Sequence, residues 1–408
     1  MEQRDNWLWT QVELKTVPRC FYETCEKFPE RPAQLFNPEL YHGDGGGSFT
    51  WAQVRERVDA IAGGLLGLGI DKNDNVAIMA PSGPYWTHAD MAITACAAVS
   101  VTIYPTLSLG EMLYIINDSS SRYLFLGSRE LLEMVLPAME QMPSLRKIIV
   151  MDLEWSGDDE RVIGLGSLVE SGKSLLKSDA GTLEKRWKSV AIEDPYTILY
   201  TSGTTGQGKG AVLTHWSVST RMEGVKEYFA RYGMSVDEND VTLCFLPLSH
   251  IFDRGSCQLL AIYRGACISY ADKPGTLLAD MQKYNPSWIN CVPRLYEKIY
   301  ITFQQQMAAS SLKKKIFDWA LGVGEKAAKY RMDEKGCYDM TPSLDLAARL
   351  PLGLRIRYKI ADRLFSKVRA LFGSRFRLSF SASAAISPDL LRFFYILGFA
   401  VIEGYGST

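Results

Sequence analysis

The sequence predicts an α/β fold built from two βα-layered subdomains, with mainly parallel sheets and some additional β structure. Short apolar runs typical of buried strands alternate with longer amphipathic segments typical of helices, and this alternation indicates βαβ units. The chain has 408 residues, which is too long for one ordinary domain. With 47% hydrophobic and 22% charged residues, it resembles the average globular protein, so we expect a sizeable core.

The predicted elements follow one another in regular order along the chain. In the first part we expect helices at 18–32, 51–68, 85–99, 111–117 and 131–142, and strands at 76–79, 101–104, 123–126 and 147–151. After it we expect strands at 196–200, 240–247, 266–270, 288–292, 376–380 and 400–402, and helices at 216–232, 254–263, 274–284, after 293 and at 387–397. The polar, glycine-dotted stretch 156–190 is predicted to be a surface excursion and a boundary. It would separate a first subdomain, 1–155, from a second, 191–408.

Charge, cysteine usage and hydropathy exclude several classes of protein. A net charge of -1 argues against nucleic-acid binding through bulk charge. The eight cysteines are scattered without a CxxC pair, which favours reduced, partly buried thiols over a disulfide framework or a zinc site. The N-terminal residues lack an apolar signal region, and no apolar run reaches the roughly 20 residues that span a bilayer. These features predict a cytoplasmic protein.

A basic amphipathic segment lies between residues 355 and 377, which contain eight Lys and Arg residues and a single acid, Asp362. Four apolar residues recur at four-residue spacing, as expected for one helix face: Ile356, Ile360, Leu364 and Val368. We favour a helix that packs this stripe on its own domain and leaves the basic face in water. The alternative is a helix that lies peripherally on the inner, anionic face of a membrane.

The main functional signal is the loop from Tyr200 to Gly210, which contains four glycines, four Ser or Thr hydroxyls and Lys209. Glycines let the backbone approach a ligand closely, and successive N–H groups in such a turn form an anion-binding concavity. The loop follows a predicted buried strand, which argues against an ordinary flexible surface loop. The sequence therefore predicts a phosphate-binding loop.

Two families of phosphate loop fit this stretch. From Gly203 the pattern matches seven places of the P-loop G-x-x-x-x-G-K-[ST], but Gly210 stands where Ser or Thr should contact Mg²⁺. Extended to Thr214-His215, the stretch resembles the phosphate loop of the acyl- and aryl-adenylate-forming enzymes. The departure from that family is Gly208, which replaces the usual proline before the lysine and loosens the turn.

Further segments, beginning with Phe49-Thr-Trp51 and Tyr104-Pro-Thr106, extend the resemblance from about Phe49 to Thr408. Residues 247–254, Pro-Leu-Ser-His-Ile-Phe-Asp-Arg, and 292–298, Val-Pro-Arg-Leu-Tyr-Glu-Lys, resemble segments of the family's long-chain branch. The ending Gly404-Tyr-Gly-Ser-Thr408 resembles its adenine and phosphate motif. Residues 381–385, Ser-Ala-Ser-Ala-Ala, stand where the family has S-G-G-A-P/A, so Ala382 and Ser383 replace two glycines. The chain is similar to the long-chain fatty acyl-CoA synthetases.

The resemblance implies the fold of the large N-terminal domain of the adenylate-forming enzymes and assigns roles to named residues. Catalytic roles fall to His250, Lys209 and Thr408, with His250 at the carboxylate end of the acyl pocket. Tyr405 would stack on adenine and Thr408 would contact the α-phosphate. The residues implied in nucleotide binding are Thr201, Ser202, Gly203, Thr204, Thr205, Gly206, Lys209, Ser383, Ala384, Gly404, Tyr405, Gly406, Ser407 and Thr408.

The implied activity is ligation of a long-chain fatty acid to coenzyme A. ATP and Mg²⁺ serve a first step that yields acyl-AMP and pyrophosphate, and a thioester forms in the second. No metal ligand is assigned, because the family's glutamate would follow Thr408. The family's C-terminal domain is also expected to be absent, with little complete activity as the result. The alternatives are a non-catalytic adenylate-fold binding or regulatory fragment and, less favoured, a P-loop NTPase.

Overall fold

The computed structural model describes residues 12–41, 44–201, 208–231, 233–308, 310–334, 338–339, 341 and 344–406. The strands are β1 (Pro32–Leu35), β2 (Ser48–Thr50), β3 (Asn75–Met79), β4 (Val99–Ile103), β5 (Tyr123–Leu126), β6 (Lys147–Val150), β7 (Val162–Gly164), β8 (Pro195–Thr201), β9 (Lys209–Thr214), β10 (Val241–Cys244), β11 (Cys267–Tyr270), β12 (Trp288–Cys291), β13 (Leu378–Ser381) and β14 (Ala400–Glu403). The helices are α1 (Val17–Lys27), α2 (Trp51–Gly67), α3 (Pro84–Ala95), α4 (Leu109–Asp118), α5 (Arg129–Val135), α6 (Leu165–Ser178), α7 (Thr182–Lys188), α8 (His215–Arg231), α9 (Ile251–Asp253), α10 (Leu260–Arg264), α11 (Leu277–Tyr284), α12 (Pro293–Ala308), α13 (Ser311–Ala328), α14 (Leu346–Arg349), α15 (Leu352–Arg369) and α16 (Pro388–Leu397).

The chain folds into two compact units, and the first comprises Met1–Val225 and Cys244–Tyr270. Its described strands include a seven-stranded sheet in the order β7-β6-β5-β3-β4-β8-β9. All neighbours in this sheet are parallel except β8 and β9, which are antiparallel. In the same unit β1 pairs parallel with β11 and antiparallel with β2. The predicted α/β class with mainly parallel strands is therefore confirmed.

The core of this sheet explains why its strands read as continuous apolar runs. Strands β3, β4 and β5 are buried along almost their whole length, since helices cover both faces of a parallel sheet. Helix α3 is buried on every side, with Trp86 and Asp90 at 1% and 0% exposure. It ends at Ala95 and not at 99, because Ala97 adopts a positive φ of 56° before β4 begins.

The stretch 156–190 differs from the surface excursion that the sequence predicts. It contributes edge strand β7 and helices α6 and α7 to the first unit. Helix α6 packs against α2 with Leu168 fully buried, and a β-carbon at Gly172 would lie 1.8 Å from the Ala60 carbonyl oxygen. Glycine is needed for this close helix contact. The predicted boundary, 156–190, lies within the first compact unit and does not separate the two units.

The second unit comprises Lys226–Leu243 and Ala271–Ser407. Its described strands pair in the order β10-β12-β13-β14, all parallel, with residues 241–243 of β10 belonging to this unit. Helices α13, α15 and α16 pack on one another around Phe317 and Phe365, which lie 6.4 Å apart between ring centroids. The helix predicted at 387–397 is present as α16, with Ser387 before it and Pro388 in its first turn.

Helix α15 does not bury the stripe that the sequence selects. Its buried residues are Ala361 and Phe365, whereas Ile356 and Ile360 are 56% and 49% exposed. The prediction that this stripe packs on its own domain is therefore wrong at Ile356 and Ile360. Residues 361 and 365 lie on the opposite side of the helix, and spacing alone does not distinguish two apolar faces.

Seven cysteines in the described part of the chain are buried and form no disulfide, as expected. Burial raises the pKa of the Cys20 and Cys96 thiols to about 12. The Cys244 thiol donates a hydrogen bond to Asp253 Oδ2 at 3.3 Å, near Cys257. Among the described residues, no helix has the length and apolar character that crossing a bilayer requires.

Candidate active site

The two ends of the predicted phosphate loop meet at the edge of the seven-stranded sheet. Strand β8 ends at Thr201 and β9 begins at Lys209, and these two residues are opposite each other in the antiparallel register. Lys209 is exposed. The loop residues between them that the resemblance assigns to phosphate lie outside the described residues: Ser202, Gly203, Thr204, Thr205 and Gly206.

The element after Lys209 discriminates between the two families of phosphate loop. A P-loop places its lysine at the N-terminus of a helix, whose backbone N–H groups hold the phosphates. Here Lys209 begins strand β9, and helix α8 starts only at His215. A β-carbon at Gly210 would also lie 2.9 Å from the Ile198 side chain, so a P-loop serine or threonine would be crowded there. The structure therefore disfavours the NTPase alternative.

Two tyrosine hydroxyls, one from α4 and one from β8, fix the base of the loop. Tyr114 of α4 donates to the Gly208 carbonyl oxygen at 3.0 Å, and Tyr200 of β8 donates to Asp118 Oδ2 at 2.6 Å. Burial and the hydrogen bond to Asp118 raise the pKa of Tyr200 above its usual value. The loop thus starts from a positioned backbone although Gly208 replaces proline.

His250 lies in the turn between β10 and α9 and caps that short helix. Its Nδ1 accepts a hydrogen bond from the Phe252 backbone N–H at 3.0 Å, so the neutral imidazole carries its proton on Nε2. Burial lowers the pKa of His250 below its usual value. His250 is therefore set up as a neutral donor through Nε2–H.

A buried arginine network holds the histidine turn to the sheet. Arg254, fully buried, opens a π-helical stretch, Arg254–Leu259, a rare geometry often found at functional sites. Its guanidinium pairs with Asp90 of α3 and also donates to Thr197 Oγ1 of β8 at 2.7 Å and Ser100 Oγ of β4 at 2.6 Å. The turn that bears His250 is thus tied to the strand that leads into the phosphate loop.

One cavity of about 740 Å³ lies at the carboxyl ends of the parallel strands β4 and β8, where ligands bind in open α/β sheets. Its polar lining includes His250, Ser249 and both flanks of the phosphate loop, Thr201 and Gly208. Its apolar and aromatic lining consists of Tyr104, Leu107, Tyr114, Ile115, Leu199, Tyr200 and Ile251. The structure therefore brings His250 and the two described flanks of the predicted phosphate loop to a common cavity, while Lys209 is not among its described lining residues.

The residues assigned to adenine lie at the carboxyl ends of two adjacent strands of the second unit. Strands β13 and β14 are parallel, with Ser381 opposite Glu403, and Gly404 N–H donates to the Ser381 carbonyl oxygen at 2.8 Å. The Ser381 side chain is buried, and its Oγ has no hydrogen-bond partner among the described residues. Because most buried hydroxyls have a hydrogen-bond partner, Ser381 Oγ is a candidate contact for a bound ligand.

The structure describes some of the remaining residues that the resemblance assigns to the nucleotide. Tyr405 is fully exposed, so its ring is available for stacking, and Gly404 and Gly406 flank it. Ala384 lies in the irregular segment after β13. Ser407 and Thr408 lie outside the described residues.

Ser383 adopts the left-handed conformation, with a φ of 73°. Non-glycine residues pay a steric cost of about 1–2 kcal/mol there, whereas glycine does not. The family's motif has glycine at this position, so the backbone has kept the shape that glycine favours. Ser383 thus introduces local strain beside the predicted adenine site.

We expect Ser383→Gly to stabilise the chain by up to about 1 kcal/mol, because relief of the left-handed strain exceeds the added freedom of the unfolded chain. The free energy of unfolding from urea titration measures this gain. Ser366→Gly, within α15, is the matched control and should destabilise, since glycine is unfavourable in a helix. A loss of stability in Ser383→Gly would contradict the assignment of strain.

Two other residues singled out in the sequence have structural positions. His215 is buried, and its Nδ1 accepts from the Val17 backbone N–H at 3.2 Å. Arg294, in the first turn of α12, has a 91% exposed side chain beside Glu297. Sequence reasoning missed the α4 wall of the cavity, Leu107 to Ile115, because nothing local to this helix indicates that it faces the loop.

Two relatives show how far the resemblance extends. The long-chain-fatty-acid–CoA ligase FadD15 of Mycobacterium bovis is 30% identical over 359 residues, covering 88% of this chain and 55% of the relative. The peroxisomal long chain acyl-CoA synthetase 7 of Arabidopsis thaliana is 29% identical over 439 residues, covering 100% of this chain and 57% of the relative. The chain thus spans little more than half the length of these relatives.

Solved structures show the same fold at low sequence identity. The N-terminal domain of FACL13 from Mycobacterium tuberculosis matches with a TM-score of 0.64 at 17% identity, over 97% of this chain and 76% of that one. The anthranilate CoA ligase AuaEII, solved with anthranoyl-AMP, matches with a TM-score of 0.63 at 17% identity, over 98% and 61%. The family model described as AMP-binding enzyme matches residues 21–408, so this chain belongs to the AMP-binding enzyme family.

Proposed function

We propose that this chain provides the adenylating site of a long-chain fatty acid–CoA ligase. The observation that carries the proposal is that His250, both flanks of the phosphate loop and an apolar wall line the same cavity. Small-molecule sites are typically concave and mostly apolar, with a few converging polar groups and volumes of roughly 300–1,000 Å³. The cavity, at about 740 Å³, fits this description.

His250 orients the fatty carboxylate in this proposal. Because Nδ1 is occupied by the Phe252 N–H, only Nε2–H is left to donate, and it can bind a carboxylate oxygen. The carboxylate is already ionised near neutral pH, so no general base is needed. The lowered pKa keeps the imidazole neutral, so that it positions the nucleophile without forming a stable ion pair with it.

The nucleotide is assigned to two groups of residues. Thr201, residues 202–206 of the loop and Lys209 would bind the β- and γ-phosphates. The segments after β13 and β14 would hold adenine and the α-phosphate, through Ser383, Ala384 and residues 404–408. Each group follows the carboxyl end of a parallel strand, the usual position of ligands in such sheets.

The proposed chemistry has two steps, formation of the acyl-adenylate and formation of the thioester. A carboxylate oxygen forms a bond to the α-phosphorus of ATP while the bond from that phosphorus to the bridging oxygen breaks, and pyrophosphate leaves. The sulfur of coenzyme A then bonds to the acyl carbon, the thiol proton is lost and AMP leaves. Hydrogen-bond donors aimed at the transferring phosphorus spread its developing charge.

Mg²⁺ would offset the charge of the triphosphate, but the described residues do not form a site for it. Glu111, the carboxylate among the described lining residues of the cavity, already accepts hydrogen bonds from the Ser108 N–H and hydroxyl. It is therefore engaged in capping α4.

Binding of a non-hydrolysable acyl-adenylate tests the proposal without requiring turnover. We expect the chain to bind palmitoyl-sulfamoyl adenosine more tightly than the benzoyl analogue in calorimetry, because the apolar wall contacts the long chain. His250→Ala should weaken binding of the analogue about tenfold or more, as a charge-assisted hydrogen bond is lost. The analogue lacks the β- and γ-phosphates assigned to Lys209, so Lys209→Met should instead weaken the binding of ATP by about the same factor. Palmitate-dependent exchange of pyrophosphate into ATP should fall in parallel.

The matched control for Lys209→Met is Lys185→Met, an exposed lysine of α7 outside the cavity, which should leave both readouts unchanged. Equal affinity for the palmitoyl and benzoyl analogues would refute the long-chain assignment. Binding without any exchange would favour the non-catalytic alternative, which the strained Ser383 in place of glycine also favours.

A further inference from the structure

The outer face of helix α15 is both apolar and cationic. Leu352, Ile356 and Ile360 recur every four residues and are 71%, 56% and 49% exposed. Lys359, Arg363 and Lys367, also exposed, recur with the same spacing. Each basic residue lies three or seven positions after one of the isoleucines, so the two rows interleave on one side of the helix.

This face lies opposite the buried side of α15. Ala361 and Phe365 are fully buried, and Leu354 and Tyr358 pack on the cluster formed by Ala327, Leu346 and Leu350. Asp362, the sole acid of the helix, lies to the side, where it pairs with Arg369 at 2.9 Å. No acidic residue of α15 therefore interrupts the exposed face.

Helix α13 of the same unit repeats this combination independently. Its first turns expose Leu312, Ile316 and Trp319, which recur on one face, beside the run Lys313-Lys-Lys315. Phe317 and Ala320, by contrast, are buried. Exposed large apolar residues are ordinary when they occur singly, but clusters of them mark interaction sites.

We propose that the outer face of α15 docks on an anionic phospholipid surface. The leucine and isoleucine side chains enter the boundary between the lipid headgroups and the acyl chains. The interleaved lysines and arginine contact the lipid phosphates, as in interfacial amphipathic helices. The charge of the face selects this occupant, since a purely apolar partner would leave three cations facing it. The exposed Trp319 of α13 suits the membrane interface.

Vesicle co-sedimentation of the whole chain tests the proposal. We expect binding to phosphatidylcholine vesicles that contain phosphatidylglycerol, and little binding to phosphatidylcholine alone. The triple variant Lys359→Gln/Arg363→Gln/Lys367→Gln should bind about a hundredfold more weakly, because each basic residue near an anionic surface contributes about 1 kcal/mol. Ile356→Ser/Ile360→Ser should weaken binding about tenfold or more, even at low salt.

The matched control is Lys177→Gln/Lys185→Gln/Lys188→Gln, which removes the same charge from exposed positions of α6 and α7 and should bind like the unaltered chain. Circular dichroism should show every variant folded, as the substituted residues are on the surface. Equal vesicle binding by the control and the α15 triple variant would overturn the proposal. Absence of vesicle binding would overturn it as well. So would a concentration-dependent dimer that Ile356→Ser/Ile360→Ser dissociates, since that result places a second copy of the chain on this face.

Discussion

Arg254→Met is expected to destabilise the chain by about 3–5 kcal/mol, the typical cost of breaking a buried ion pair by removing one partner. Both side chains of the pair with Asp90 are fully buried. Methionine retains much of the side-chain length but none of the donors. The Asp90 carboxylate would be left in the core with Tyr196 and Gln258 as its remaining described donors, at 3.0 and 2.7 Å. Urea denaturation followed by tryptophan fluorescence measures the loss.

The loss should extend to the candidate active site. Arg254 connects α3, β4 and β8 to the turn that presents His250, and its guanidinium lies against the Tyr196 ring at 4.5 Å. Without it, the turn and the end of β8 are positioned independently. We therefore expect weaker binding of the palmitoyl adenylate analogue even under conditions in which the variant remains folded.

Two controls separate charge burial from loss of packing. Arg254→Met/Asp90→Leu removes both charges and should recover part of the lost stability, because no uncompensated charge remains. Arg161→Met breaks the exposed pair with Asp159 and should leave the denaturation midpoint unchanged. A cost below about 1 kcal/mol for Arg254→Met would contradict the importance of this network.

Acidification should destabilise the chain through two buried histidines. His88 shares a 2.8 Å hydrogen bond with Gln34 through Nε2, and His215 accepts the Val17 N–H. Burial lowers the pKa of His88 to about 3 and that of His215 to about 4, with the Arg57 charge a further cause at His88. Both imidazoles are consequently neutral in the folded chain at neutral pH.

The sign of the effect follows from which state binds protons. Below about pH 6.5 the histidines of the unfolded chain become charged, whereas the folded chain keeps them neutral down to its lower pKa values. Their contribution to stability is therefore complete above pH 6.5 and is lost as the pH falls toward 4 and 3. By about pH 5 each histidine should cost about 2 kcal/mol, or about 4 kcal/mol together.

The measurement is the free energy of unfolding at about pH 7.5 and about pH 5 for the unaltered chain, His88→Asn and His215→Asn. Each variant removes one titrating group, so the difference between the two pH values should shrink by about 2 kcal/mol, whatever the variant costs at neutral pH. An unchanged difference in both variants would show that other groups govern acid stability.

The strand pattern of the sheet could be predicted because its cause is local. Strand β5 has the predicted bounds, 123–126, since four consecutive apolar residues are buried on both faces. Strand β9 was missed, because Lys209 to Thr214 reads as part of the loop motif and becomes a strand only through pairing with β8. The packing of α6 on α2 was missed for a similar reason, since polar residues on its outer side dominate the local pattern.

The candidate site was predictable to the same extent. The phosphate loop, the histidine turn and the adenine segment are contiguous motifs, and each lies at the end of a strand as expected. The partner of Arg254 could not be predicted, because Asp90 is 164 residues away in sequence. Nor could the left-handed conformation of Ser383, a residue that rarely adopts it.

The sequence by itself determined the α/β class and the family, because alternation of apolar runs and contiguous motifs are properties of neighbouring residues. Only the tertiary structure decided that a strand begins at Lys209, that His250, Thr201 and Gly208 line one cavity, and that Ile356 and Ile360 are exposed. These features depend on contacts between distant segments. Such contacts select the buried face of a helix and the partner of a buried charge.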